Sequence, residues 1–258
     1  MKELETYDTV VAINVDVQND FCPGGTLAVV EGDAVVEPLN NLNRWVREQN
    51  GLVVFTRDWH PEKTTHFDNW PVHCVRNRAG AAFHSDLQIV NDTEYFTGTG
   101  NDLIVSKGMG EDEDGYSGFD GRARMDTFDS RGVGGIESVA LGTLLKNFMR
   151  GDYVEATPGH NSFPAERRLD SMAIVVGGLA TDYCVRATVL DALKFKVEIA
   201  EDYKPKKVGV FALENAMRAV NLQPNDGASA LVEMEAAGAV LTTTDKVMSG
   251  EAFQVRVA

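Results

Sequence analysis

The chain has 258 residues, with 24 Lys and Arg against 39 Asp and Glu, for a formal net charge of -15. So acidic a chain lacks the basic patch that nucleic-acid phosphates demand, and no apolar run approaches the roughly 20 residues of a membrane span. Hydrophobic residues make up 43%, enough for one large core, and three cysteines are too few for a disulfide framework. With the polar, acidic start at Met1 to Asp8, this predicts a cytoplasmic protein.

The first apolar run, Thr9 to Val15, is short, β-branched and almost unbroken, as a buried parallel strand should be, and it ends at Asp16. A Gly-rich loop follows. Val35, Leu39, Leu42 and Val46 then recur at helical spacing, which predicts a helix over 33–50 capped by Asp33 and closed by Gly51. Leu52 to Thr56, Asp102 to Ser106 and Ser171 to Val176 read as further strands. Thr181 to Phe195 reads as a helix and Lys196 to Ala200 as a fifth strand. Helices are expected near 209–220 and 225–238, with a last strand near 239–243.

Strands alternating with helices predict an α/β fold with a mostly parallel sheet. Ligands of such sheets sit beyond the carboxyl ends of the strands, which places Asp16, Asp58, Lys107 and the 177–184 turn along one edge. There is no internal repeat, so residues 1–258 read as a single domain. Two stretches, at about 122–169 and 203–225, read as insertions on it.

Three constellations can carry chemistry. Asp58, His60, His66 and His73 put four metal-ligand types within 16 positions, and a loop can gather them. A mixed histidine and carboxylate set suits Zn²⁺, Fe²⁺ or Mn²⁺. Taken singly, each histidine could equally be bonded to backbone. Cys184 follows Gly177-Gly178 in the first turn of a helix, where free N–H groups stabilise a thiolate or an oxyanion. A small buried apolar role is the alternative. Asp16 and Lys107 stand at strand ends, where they could move a proton and hold charge, or simply form an ion pair. The acidic run Glu111 to Asp114 reads as a solvated loop.

The segments VDVQNDFCPGGTLAV (15–29), TRDWHP…HF…WPVHC (56–74), SKG…YSGF (106–119) and GGLATDYCVRAT (177–188) resemble the nicotinamidases, within the isochorismatase-like cysteine hydrolases. The resemblance implies a doubly wound sheet with helices on both faces, hydrolysis of nicotinamide to nicotinate and ammonia through a cysteine thioester, and a place in NAD salvage. It implies Asp16, Lys107 and Cys184 as the catalytic set. One divalent metal, zinc first, with iron or manganese as alternatives, would sit on Asp58, His60, His66 and His73. Phe21, Trp70, Tyr116 and Leu179 would line the ring pocket. The amides of Ala180 and Cys184 would form the oxyanion hole, with a cis peptide at Leu179–Ala180. The expected partner is a small amide, with no nucleic acid and no membrane, and a homo-oligomer left open. Another small-amide hydrolase of the superfamily, or a non-catalytic metal-holding relative, is the alternative.

Overall fold

The computed structural model describes residues 4–90, 102–128, 134–150, 169–202 and 207–256. In chain order its elements are β1 (Thr6–Tyr7), β2 (Thr9–Val15), α1 (Val36–Glu48), β3 (Leu52–Asp58), β4 (Asp102–Lys107), β5 (Arg122–Phe128), β6 (Gly134–Ala140) and α2 (Leu141–Arg150). There follow β7 (Ser171–Leu179), α3 (Arg186–Asp202), β8 (Lys207–Arg218), α4 (Asp226–Ala236), β9 (Val240–Thr242), α5 (Thr244–Met248) and β10 (Gln254–Val255).

Eight strands form one sheet in the order β6-β5-β4-β3-β2-β7-β8-β9. All pairings are parallel except those of the β5–β6 hairpin, which extends one edge. The sheet is thus doubly wound and mostly parallel. The chain enters at its centre, in β2, winds outward through β3 and β4, and returns to lay β7 on the other side of β2. Neighbouring strands whose connections leave in opposite directions open a crevice at their carboxyl ends. That crevice is at β2 and β7.

The strands are apolar on both sides because both faces are covered. Val11, Ile13, Val54, Ile174 and Val176 face a core shared with Leu144 and Leu145 of α2 and Val189 and Ala192 of α3. Val10, Ala12, Phe55 and Val175 face a second core with Leu39, Leu42 and Val46 of α1. Among the described residues no helix is long and apolar enough to cross a membrane.

Several expectations need correction. Lys196–Ala200 is not a strand; it continues α3. Val189, Ala192, Phe195 and Ile199 are buried at helical spacing while Val197 is 61% exposed, so the apparent two-residue alternation had no second buried face. The helix expected near 209–220 is instead β8, an interior strand paired with β7 and β9. Its helix formers Ala212, Leu213, Glu214, Ala216 and Met217 favour a helix locally, but two flanking strands supply a ladder that outweighs a propensity of a few tenths of a kcal/mol per residue. The second stretch read as an insertion therefore carries a strand of the main sheet. In the first, residues 129–133 and 151–168 lie outside the described residues. Asp33 sits in a short 3-10 turn, Gly32–Val35, and does not cap α1 with its side chain.

Candidate active site

Each strand around the crevice delivers one polar residue at its end. β2 ends before Asp16, whose φ of 49° lies in the left-handed region that aspartate tolerates better than most residues. This turns the side chain back over the sheet edge. Thr56 of β3 donates its hydroxyl to Asp16 Oδ1 at 2.6 Å. Asp58 closes β3 and Lys107 closes β4, adjacent in register. At the end of β7, a cis peptide joins Leu179 and Ala180, as the family resemblance implies. A π turn, Thr181–Val185, then leads into α3 and carries Cys184.

Lys107 is the hub. Its ammonium lies 2.7 Å from Asp16 Oδ2 and 3.5 Å from Cys184 Sγ, and it donates to Asp58 Oδ1. Asp16 and Lys107 are fully buried, and Asp58 and Cys184 nearly so. Burial pushes the Asp16 carboxyl up, against the opposing pull of Lys107. Burial would also raise Asp58, but Lys107 outweighs it and holds Asp58 well below the usual carboxylate range. Burial alone would depress Lys107, yet the two carboxylates keep it charged. The Cys184 thiol is driven well above its ordinary value, first by burial and then by the nearby carboxylates, with Lys107 opposing. Burial and the two negative charges thus oppose the ionisation that Lys107 and the turn of N–H groups favour.

The histidines gather on the same side. The ligand atoms of His60, His66 and His73 all lie within 4.8 Å of one another, and all three residues are buried. Asp58 Oδ2 lies 3.7 Å from Nε2 of both His60 and His73. Each ring is held by its other nitrogen. Nδ1 of His60 donates to the Gly108 carbonyl at 3.0 Å, that of His73 to the Pro71 carbonyl at 2.7 Å, and that of His66 to Asp114 Oδ1 at 2.8 Å. A ring that donates through Nδ1 keeps its Nε2 lone pair free, the form in which imidazole binds a metal. His60 Nε2 is fully buried without a hydrogen-bond partner. An orphaned buried acceptor among two more imidazoles and a carboxylate fits a divalent cation and has no other evident use.

Between the two groups opens a pocket lined by Phe21, Trp70, Tyr116, Asp58, His66, His73, Ala180 and Cys184. Trp70 Nε1 donates to the Tyr116 hydroxyl at 2.9 Å, fixing both rings. Leu179 does not line it; its side chain is fully buried in the core beneath α1. Leu27, Asp114, Tyr183 and Val220 complete the wall instead. Tyr183 meets Trp70 edge-on with ring centroids 5.0 Å apart.

Other supporting residues were not legible beforehand. Gln18 bonds both the amide and the carbonyl of Asp58, holding the metal-side loop against β2. Asp182 accepts from the amides of Val220 and Asn221 at 2.9 and 2.8 Å, tying that wall to the turn before Cys184. Asp114, from the run read as solvated, reaches His66. Thr56 and Asp182 lie within recognised motifs, but nothing in the chain pattern marks Val220 or Asp114.

The isochorismatase domain family matches residues 10–103. The nicotinamidase of Escherichia coli (strain K12) is 32% identical over 250 residues, covering 89% of this chain and 92% of that protein. A structure of the pyrazinamidase of Pyrococcus horikoshii in complex with zinc superposes with a TM-score of 0.62 at 30% identity, covering 91% of this chain and 98% of that one. A structure from L. infantum in complex with nicotinate superposes with a TM-score of 0.60 at 25% identity, covering 99% and 100%. With its strand-end Asp, Lys and Cys, its histidine cluster and this likeness along most of its length, the chain belongs to the nicotinamidase family of isochorismatase-like hydrolases.

Proposed function

We propose that this chain hydrolyses nicotinamide to nicotinate and ammonia, with Cys184 as nucleophile, Asp16 as the proton-moving group and Lys107 as the charge that holds both. The observation that carries the reading is Lys107 Nζ, 2.7 Å from Asp16 Oδ2 and 3.5 Å from the Sγ of Cys184, which itself lines an aromatic pocket. The substrate class follows from the nicotinamidase relatives and from the aromatic walls of the pocket.

The carboxylate of Asp16 takes the Cys184 proton as the sulfur attacks the amide carbonyl. Burial raises the proton affinity of Asp16, which suits it to receive that proton. The amides of Ala180 and Cys184 receive the developing oxyanion. Asp16 then passes the proton to the departing nitrogen, releasing ammonia and leaving a thioester. Water enters, loses a proton to Asp16 and attacks the thioester. The Cys184–acyl bond breaks, Cys184 recovers a proton from Asp16, and nicotinate leaves. Lys107 stays charged throughout, balancing the buried carboxylates. Phe21, Trp70 and Tyr116 hold the ring between them, which orients the carbonyl toward Cys184.

Asp58, His60, His66 and His73 would hold a divalent cation. Bound there, it would supply a Lewis-acidic position for the ring nitrogen, and so select where that nitrogen lies. The test is ammonia release from nicotinamide by the purified protein and by its Cys184→Ala variant. Release by the first and not by the second is expected. No release by the first, under metal-replete conditions, would sink the assignment.

A further inference from the structure

The three histidines are held in two different ways. His60 and His73 donate to main-chain carbonyls, which substitution does not remove. His66 alone donates to a side chain, the Asp114 carboxylate at 2.8 Å. Asp114 is 59% exposed, whereas the His66 ring it holds is 3% exposed and stacks on His60 at 4.5 Å.

The loop that carries Asp114 is built against the histidine segment. Its Gly108 carbonyl receives His60 Nδ1, and the Glu111 carbonyl receives the Thr65 amide at 2.8 Å and the Thr64 hydroxyl at 2.9 Å. Gly108 (φ 60°) and Gly115 (φ 65°) let it close. A Cβ on Gly108 would fall 2.4 Å from His60 Cε1, and one on Gly115 would fall 2.3 Å from the Gly108 nitrogen. The loop continues to Tyr116, whose hydroxyl receives Trp70 Nε1. Residues 108–116 therefore form an outer layer over the histidine cluster, and Asp114 is its side-chain contact with a ligand-type atom.

We propose that Asp114 is a positioning residue for His66, fixing its Nδ1–H so that Nε2 is presented to a divalent cation shared with His60, His73 and Asp58. This rests on the metal reading above. A carboxylate accepts from Nδ1–H without competing for Nε2, so it sets both the tautomer and the ring angle. Without it, the His66 ring can turn about its χ angles, and the cation keeps three protein donors instead of four.

The experiment uses full-length protein stripped of metal. Zn²⁺ affinity is measured by competition with a chromophoric chelator, and the visible absorption of the Co²⁺ form reports the donor set. Asp114→Ala is expected to lose about 10- to 100-fold in Zn²⁺ affinity. Its Co²⁺ spectrum should match that of His66→Ala. Adding Asp114→Ala to His66→Ala should cost little more, since the carboxylate then has nothing to hold. Asp114→Asn keeps an acceptor oxygen and should recover most of the spectrum; it also carries the test should the alanine variant not fold. Wild-type affinity and spectrum in Asp114→Ala, or an equal further loss on the His66→Ala background, would overturn the proposal while leaving the metal site standing. A wild-type chain that binds neither ion would overturn the metal reading and this one with it.

Discussion

The pocket has two halves built by opposite means. The cysteine half takes its residues from strand ends and the turn after a strand: Asp16 after β2, Lys107 in β4 and Cys184 beyond β7. They are far apart in sequence, and the sheet brings them together. The histidine half takes its residues from one loop, with Asp58 at its root and His60, His66 and His73 following within 16 positions. They are close in sequence, and hydrogen bonds to loop residues hold their geometry. The first half owes its shape to a parallel ladder and fully buried charges. The second owes its shape to hydrogen bonds that Gly108, Pro71 and Asp114 accept from the three rings and to the pair between Gln18 and Asp58. A sheet fixes position at a cost spread over many contacts; a loop site can lose its geometry through one.

The contrast is broken most severely at Cys184. Cys184→Ala should reduce kcat by at least about 10⁴-fold while metal content, read by elemental analysis, stays at the wild-type level. Metal loss in parallel with activity would show that the halves are not separate.

The next largest effects fall on Asp16 and Lys107. Asp16→Asn and Lys107→Met should each reduce kcat by roughly 10³-fold, with the double variant little worse than either single one. Lys107→Met should also lower the Tm of the metal-free protein by about 10 °C, because two buried carboxylates lose their counter-charge at a cost of about 3–5 kcal/mol. Multiplicative losses of activity in the double variant would mean that the two do not act as one unit.

The histidine half is sharpened by changing the substrate. Nicotinamide and pyrazinamide carry a ring nitrogen two bonds from the carbon bearing the amide; benzamide has none, and picolinamide has its nitrogen adjacent. The walls of Phe21, Trp70 and Tyr116 would accept all four rings, so discrimination must come from the histidine side. Benzamide and picolinamide should be poorer by about a hundredfold in kcat/KM, or about 2.7 kcal/mol, and chelation should narrow the gap. Equal turnover of benzamide and nicotinamide would end the ring-anchoring role.

The smallest effect belongs to the wall. Tyr116→Phe keeps the ring and removes the acceptor of Trp70 Nε1, a bond of about 0.5–1.5 kcal/mol. KM should rise about two- to tenfold with kcat nearly unchanged. A loss confined to kcat would place the hydroxyl in the chemistry instead.

The same contrast explains what could be read from the chain. The buried strands announce themselves through unbroken β-branched runs, and a strand's end follows from its beginning, so Asp16, Lys107 and Cys184 were placed together before any coordinates. The histidines were legible by density and motif. What was hidden depends on contacts across the fold. β8 reads as a helix because its run from Ala212 to Met217 is rich in helix formers, and its pairing with β7 and β9 makes it a strand. Asp114 reads as solvated because its exposure is real; the bond to His66 is made by the tip of an exposed side chain. Leu179 was assigned to the wall from its neighbours in the motif, yet alternation along β7 sends its side chain into the core.

The position of β2 at the centre of the sheet bears on synthesis. Thr9–Val15 is made well before its partner β7, which begins at Ser171, although Thr9 pairs with Met172. At ribosomal rates of about 5–20 residues per second, this apolar strand waits on the order of ten seconds for its second neighbour. Until then one edge carries unpaired N–H and C=O groups beside exposed valines, the profile of an aggregation-prone segment. Ribosome-bound chains arrested before Ser171 should therefore recruit a chaperone that reads extended apolar segments, and chains long enough to have released Leu179 should shed it.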